Sequence, residues 1–236
     1  MKRDSNTATT AAIQTGKARK PAGADLDVDH LSGVWQRTLL IEPDGRRDEK
    51  SAVFWLQLGA LCGDIRAPAD TVGADTAFAG SLVRKGDVFR WIARVARGSV
   101  TNGAPDEGRL RFEGDVLRED GVHQPYVEHW RRVGPPARTH SAFEFKEPLA
   151  HAPGLFIDLA PFAFCARPGL SKTSFALTEM VGGVRVMRLA IDWPWTKGSC
   201  AWPRVNAQRL SFPAPPLGHT GDGEAWTADL QKEFAP

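Results

Sequence analysis

The segment Tyr126–Arg132 (YVEHWRR) carries the side chains of this chain that are best suited to chemistry. Alternate side chains of an extended strand share one face, so Tyr126, Glu128, Trp130 and Arg132 are expected to point the same way. A carboxylate that is buried beside an indole needs a partner, or it takes up a proton. We therefore expect Glu128 to have a charged partner if Trp130 faces inward.

Arg37 is the first candidate partner for Glu128. It lies in the first strand-like segment, and closing a barrel pairs the last strand with the first. The pair would then form a salt bridge that plugs the closed end of a barrel, with Trp35 stacked on Arg131 or Arg132. A polar anchor inside a ligand pocket and a catalytic acid or base are the two other interpretations of Glu128.

Arg66 is the second candidate partner, in the segment Asp64-Ile65-Arg66. Period 2 places Asp64 and Arg66 on one face of a strand. On a solvated edge these two side chains would form an ion pair of little energetic value. In a pocket they would orient a polar group of a ligand. Both interpretations stay open, because the flanking Leu61 and Ile65 can also mark the buried face.

Sequence motifs of metal and nucleotide sites are missing from the chain. No two of the six histidines follow a His-x-His or His-x-x-x-His spacing, and no Gly-x-Ser-x-Gly, P-loop or dinucleotide fingerprint occurs. The cysteines Cys62, Cys165 and Cys200 are odd in number and widely spaced, which favours free, buried thiols in a reducing compartment. We predict no metal site and no cofactor.

The composition limits the classes of partner. Hydrophobic residues make up 42% and charged residues 25%, as in ordinary globular proteins. A net charge of +2 gives no footprint for nucleic acid, and no segment approaches the ~20 apolar residues that span a bilayer. With no signal-peptide pattern, we expect a cytoplasmic protein that binds neither nucleic acid nor membrane. Eight Trp and twelve Phe against one Tyr favour an aromatic pocket or interface.

Turn residues divide the chain into a tail, two strand-rich units and a linker. Residues 1–29 have almost no large apolar side chains, which predicts a disordered tail. Short apolar runs between turn residues predict about eight strands over residues 30–133. The proline-containing stretch 134–153 is predicted to be a linker, and residues 154–236 a second β-rich half.

Two short helices are expected among these strands. Residues 69–79 are rich in Ala, Asp and Thr and suit a helical lid. Residues 171–181 suit a helix with Ser171 as its N-cap and Gly182-Gly183 as its stop.

The segment Val53–Leu58 (VFWLQL) lacks a polar face. A half-exposed strand alternates apolar and polar side chains. We therefore expect an apolar surface inside the barrel, and an outer face that is partly covered by the rest of the chain.

A Gly-x-Trp at the head of the first strand is typical of lipocalin and calycin barrels. The segments that carry the resemblance are Gly33–Arg37 (GVWQR), Val53–Gln57 (VFWLQ), Asp64–Pro68 (DIRAP), Gly114–Leu117 (GDVL) and Tyr126–Arg132 (YVEHWRR). Together they resemble bacterial proteins similar to the fungal proteins known for interacting with a casein kinase, which contain two lipocalin-like barrels. The resemblance covers about residues 31–133. It implies an all-β fold, with a lipocalin-like antiparallel β-barrel followed by a second strand-rich half that is a complete or an incomplete barrel. It implies no activity.

The predicted function is the binding of a small, partly apolar molecule inside the first barrel. The predicted pocket residues combine indole walls with ionisable anchors: Trp35, Arg37, Trp55, Asp64, Arg66, Trp91, Glu128 and Trp130. One alternative is a barrel enzyme, such as an isomerase, lyase or cyclase, with Glu128 as acid or base. Another is a protein-interaction module that uses the tail or Trp193-Pro194-Trp195.

Overall fold

Strands make up most of the part of the chain that the computed structural model describes. That part comprises residues 26–71, 73–98, 103–134, 140–146, 152–169, 172–193, 202–206, 209–212 and 226–233. A 3-10 turn at Asp29–Leu31 is the one helical element among these residues. The predicted all-β class is therefore confirmed. No helix within the described ranges is long and apolar enough to cross a bilayer.

The first sheet is a closed antiparallel barrel. Its strands are β1 (Gly33–Ile41), β2 (Arg47–Asp48), β3 (Ala52–Leu58), β4 (Leu61–Ala67), β5 (Thr76–Lys85), β6 (Val88–Arg97), β7 (Asp106–Glu113), β8 (Val116–Gly121) and β9 (Val127–Val133). Consecutive strands from β3 to β9 are neighbours, and β1 pairs with both β3 and β9. Eight strands thus close the wall, while the short β2 pairs with the far end of β1. The predicted pairing of the first and last strands is confirmed.

The second sheet follows the barrel in the chain. Its strands are β10 (His140–Phe145), β11 (Gly154–Leu159), β12 (Phe162–Pro168), β13 (Thr173–Val181), β14 (Val184–Ile191), β15 (Arg204–Asn206), β16 (Arg209–Phe212) and β17 (Trp226–Glu233). The strand order is β14-β13-β12-β11-β10-β17-β16-β15. Among the described pairings none joins β14 to β15, and the described strands of this half form an open sheet.

Both predicted helices are wrong. Residues 173–181 form strand β13, and Gly182 and Gly183 adopt φ of 58° and 81° in the β13–β14 hairpin turn. Two glycines that can stop a helix can equally reverse a hairpin. Residues 76–79 of the predicted lid belong to strand β5, which begins at Thr76. The described residues of the lid before Thr76 form turns and irregular structure.

Two predicted boundaries also differ from the structure. Strand β10 lies inside the stretch 134–153, so the interpretation of that stretch as a linker is wrong at His140–Phe145. The prolines flank this strand and do not interrupt it. At the other end, Leu26 is fully buried in the barrel core, so the predicted tail ends before it. Residues 1–25 lie outside the described residues.

The two sheets share one apolar core. Leu56 and Ile65 enter it from the outside of the barrel, and Ile157 and Phe164 enter it from the second sheet. The side chains that alternate with Leu56 and Ile65 point into the barrel, so β3 and β4 are buried on both faces. This explains why Val53–Leu58 has no polar face, and it confirms that the rest of the chain partly covers the barrel.

Candidate functional site

A cavity of about 170 Å³ lies inside the first barrel. It is lined by Arg37, Leu40, Glu42, Trp55, Asp64, Arg66, Phe78, Trp91, Ala104, Pro105, Asp106, Glu107, Glu119, His123, Gln124, Tyr126, Glu128 and Trp130. The barrel strands supply most of these side chains. Glu42 follows β1, and the segments before β7 and before β9 supply the others. The volume is below the ~300–1,000 Å³ of pockets for drug-sized ligands, so it suits a smaller molecule.

Three tryptophans form adjoining walls of the cavity. The ring of Trp55 lies edge to face with Trp91, with centroids 5.7 Å apart at 73°, and with Trp130, at 5.8 Å and 74°. The Trp55 indole donates to Gln57 at 3.1 Å, and the Trp130 indole donates to Glu119 at 3.1 Å. Since both N–H groups have protein acceptors, these two rings offer their apolar faces to a ligand.

Arg37 and Glu128 form a buried ion pair across the barrel closure. Arg37 Nη1 donates to Glu128 Oε1 at 2.7 Å, and Nη2 donates to Asp48 Oδ2 at 2.9 Å. Both side chains of the Arg37–Glu128 pair are 7% exposed. Strands β1 and β9 place the two residues together because Arg37 pairs with Trp130 and Leu40 with Glu128, around a shift in register. The predicted salt bridge is present, and it also forms part of the cavity wall.

Asp64 and Arg66 form a second ion pair on the cavity wall. Arg66 Nε donates to Asp64 Oδ1 at 2.6 Å, and Asp64 is buried. Burial raises the pKa of Asp64, although the charge of Arg66 opposes this shift. The sequence leaves open whether this pair lies on a solvated edge or in a pocket. In the structure both residues line the cavity. Ile65 faces the other way, into the core between the sheets.

Glu119 is a buried carboxyl group that the sequence analysis did not select. It accepts a hydrogen bond of 2.7 Å from the Tyr126 hydroxyl, besides the one from Trp130. Burial raises the pKa of Glu119 well above its ordinary value, and the negative charges of Glu128 and Asp106 add to this. One signal in the sequence could have found it. Glu119 lies two residues after the apolar Leu117, so the two side chains share one face of β8, and the structure buries both.

Asp106 was also missed, at the start of β7. Burial raises its pKa to about 6; Arg66 opposes the shift, and the charges of Asp64 and Glu128 add to it. Nothing local in the sequence distinguishes Asp106 from an exposed turn residue, because its neighbours Pro105 and Glu107 are those of a loop.

Trp35 is the predicted site residue that the structure does not place on the cavity. Its ring stacks on Trp55, with centroids 6.0 Å apart, and its Nε1 donates to the backbone oxygen of Leu31 at 2.8 Å. The guanidinium of Arg132 lies 4.3 Å from the ring centroid. Arg132 also donates to the backbone oxygens of His30, at 3.1 Å, and Ser32. Trp35 therefore helps to close the end of the barrel, as the first interpretation of Glu128 anticipated.

The other seven predicted site residues line the cavity: Arg37, Trp55, Asp64, Arg66, Trp91, Glu128 and Trp130. The structure thus brings together residues from β1, β3, β4, β6 and β9. Their proximity is a fact of the geometry, whereas a role in ligand binding is a proposal.

The remaining candidates from the sequence lie elsewhere. Cys62 and Cys165 are both buried, and burial raises the pKa of the Cys62 thiol. Cys200 lies outside the described residues. Trp193 is buried in the core of the second sheet, and the rest of its Trp-Pro-Trp motif also lies outside the described residues. In the part of the chain that the structure describes, no three His, Cys, Asp or Glu side chains form a group that could hold a metal ion.

The fold is similar to that of the uncharacterised protein YLR301w from Saccharomyces cerevisiae. The crystal structure of that protein aligns with a TM-score of 0.52 at 10% sequence identity, over 86% of this chain and 98% of the yeast chain. At this identity the likeness shows a shared fold. A comparison with models of known protein families gives no match, and a comparison with curated proteins gives none either.

Proposed function

We propose that the first barrel binds a small, partly apolar molecule in its cavity, as lipocalin-like barrels do. The observation that carries the proposal is a cavity of about 170 Å³ whose lining combines three indoles with charged anchors inside a closed strand wall. Ligand pockets are typically apolar with a few placed polar groups. In a domain that needed only a core, this space would be filled by side chains.

The cavity geometry supports specific roles for its residues. Trp55, Trp91 and Trp130 contact the apolar part of the ligand. Arg37 and Arg66 are fixed by their own carboxylate partners, at 2.7 Å and 2.6 Å, so they hold the site in one shape before the ligand arrives. A prearranged site loses less entropy on binding.

The test measures whether the full-length protein retains a small molecule. It compares the wild type with a variant whose cavity is filled and with a control variant that carries the same substitution outside the cavity. Ala104 lines the cavity, so Ala104→Phe places a phenyl ring into the space. Ala60 is an exposed residue of the β3–β4 turn that does not line it, so Ala60→Phe adds the same side chain elsewhere. Each protein is incubated with a metabolite extract, desalted, and analysed by native mass spectrometry and Trp fluorescence.

We expect the wild type and Ala60→Phe to retain the same small molecule, with a change in Trp fluorescence, and Ala104→Phe to lose both. If Ala104→Phe retains the molecule as well as the wild type does, the site lies elsewhere and the proposal is wrong. The proposal is equally wrong if the wild type retains nothing.

Glu119 favours a second candidate function, a barrel enzyme that acts by proton transfer. Burial raises the pKa of Glu119 and so favours the protonated form that a general acid needs, whereas Glu128 is held by Arg37. The role first considered for Glu128 therefore passes to Glu119 in this proposal. In an extract incubated with the protein, product formation that Glu119→Gln abolishes would support an enzyme. Unchanged extract composition would reject it.

A further inference from the structure

Carboxyl groups outnumber cations in the cavity lining. The carboxyl groups belong to Glu42, Asp64, Asp106, Glu107, Glu119 and Glu128, and the guanidinium groups to Arg37 and Arg66. The chain as a whole carries +2, so this excess of carboxyl groups is local to the cavity.

Each guanidinium group in the lining already donates to a carboxyl group of the protein. Arg37 donates to Glu128 and to Asp48 outside the cavity, and Arg66 donates to Asp64. The hydroxyl of Tyr126 donates to Glu119. A ligand carboxylate would compete with Glu128 and Asp64 for these guanidinium groups, whereas a ligand that supplies a positive charge would not.

Asp106 is one of two lining carboxyl groups without such a partner. In the described part of the chain, the side chains of Asp106 and Glu42 make no hydrogen bond and no salt bridge. Burial raises the pKa of Asp106 to about 6, so this group sits where a negative charge is poorly compensated. A cation in the cavity would compensate that charge.

The aromatic walls are an independent observation that favours the same class of ligand. Trp55 stands nearly perpendicular to both Trp91 and Trp130, at 73° and 74°, so the indole walls of the cavity face in more than one direction. An indole face attracts a cation through its quadrupole, most strongly where water is excluded. Several indole walls suit an alkylated ammonium group, which also buries apolar surface.

We infer that the ligand of the cavity is a small organic cation of the alkylammonium class, held between the three indoles and Asp106. This inference rests on the proposed function and specifies the ligand class. Small anions are disfavoured, because the lining already has an excess of carboxyl groups. A neutral isostere fits the same space but gains neither the cation–π attraction nor the charge of Asp106.

The experiment compares three probes of similar shape by titration calorimetry at pH 7.5 with the full-length protein. They are choline, its uncharged isostere 3,3-dimethyl-1-butanol, and the anion 3,3-dimethylbutanoate. We expect choline to bind at least about tenfold more tightly than the alcohol, and the anion not to bind. Asp106→Asn should reduce the preference for choline by about tenfold. Asp87→Asn, at the exposed β5–β6 turn outside the cavity, should leave it unchanged.

The outcomes separate this inference from the proposed function. If the alcohol or the anion binds as tightly as choline, the cavity binds ligands but the cation assignment is wrong. If no probe binds, the cation assignment is wrong too, and the retention experiment with Ala104→Phe decides the proposed function. If choline binds but Asp106→Asn and Asp87→Asn behave alike, Asp106 is not its anchor and the inference fails as stated.

Discussion

Arg37 donates a 2.7 Å hydrogen bond to Glu128 across the seam where β1 and β9 close the barrel. The same guanidinium holds Asp48, which lies on β2 beside the far end of β1. The buried Arg37 side chain thus contacts β9 at the barrel closure and also contacts β2. It forms part of the cavity wall as well.

Loss of Arg37 is expected to destabilise the protein strongly. Arg37→Met leaves Glu128 buried without its cation, and breaking a buried pair in this way costs roughly 3–5 kcal/mol. Replacing both partners, as Arg37→Met with Glu128→Leu, should recover part of the loss, because no unpaired charge is then buried inside the barrel. The free energies of unfolding come from urea titrations.

Arg47→Met is the matched control for Arg37→Met. Arg47 and Glu49 form an exposed pair at 2.9 Å, whose loss should cost less than about 1 kcal/mol. If the two Arg→Met variants lose similar stability, or if the double variant loses the sum of its single effects, the coupling at the barrel seam is refuted.

Asp106 should make the protein less stable as the pH rises. Its folded pKa is about 6 against an ordinary 3.8, so its stabilising contribution is complete below about pH 4 and is lost as the pH rises through about 6. Asp106→Asn resembles the protonated form. We expect it to match the wild type near pH 4 and to be more stable above pH 6, by on the order of 2 kcal/mol.

Asp48→Asn should change the pH dependence of stability in the opposite direction. Burial alone would raise the pKa of Asp48, but hydrogen bonds from Ser51 and Lys50 and the charge of Arg37 lower it to about 2. Its stabilising contribution is therefore present above pH 4 and lost as the pH falls through about 2. Across pH 4–7 this variant should be less stable than the wild type. Parallel pH curves for the two Asp→Asn variants would contradict both assignments.

The barrel could be predicted from the sequence because local signals agree with the fold. Turn pairs such as Gly114-Asp115 mark the hairpins, and the closure of β1 on β9 places Arg37 near Glu128. The alternation of side chains along a strand indicates which face a side chain is on, but not how far along the barrel axis it lies. For this reason it could not separate Trp35, at the closed end, from Trp55, on the cavity.

The missed features have a different physical cause, which is tertiary context. Glu119 lies inside the barrel, whereas a glutamate without a cationic partner is ordinarily exposed to water. Its residue type alone would therefore predict an exposed position. The sequence predicts a helix at strand β13 because Gly182-Gly183 can end either element. The pairing of β13 with β12 and β14, which decides the matter, involves residues distant in the sequence.

The described cysteines are expected to resist alkylation in the native state. Cys62 is buried in the barrel core, and burial raises its pKa, so little thiolate is formed or accessible. In a Cys200→Ser variant, iodoacetamide at pH 8 should label Cys62 and Cys165 at least about a hundredfold more slowly than in urea, because labelling requires opening of the fold. Intact mass spectrometry measures the rate. Complete labelling within minutes under native conditions would show that these thiols are accessible.

Gly63 and Phe164 test whether the second sheet packs on the barrel as described. A Cβ at Gly63 would overlap the ring of Phe164, so Gly63→Ala should cost about 1–3 kcal/mol through overpacking. Phe164→Ala removes the ring and should cost about 3–5 kcal/mol through the cavity that it leaves. In the Phe164→Ala background the added methyl group has room, so Gly63→Ala should then cost little. Unfolding free energies of all four proteins form a double-mutant cycle. Additive effects would mean that the ring does not lie against Gly63, and that the shared core between the two sheets is assembled differently.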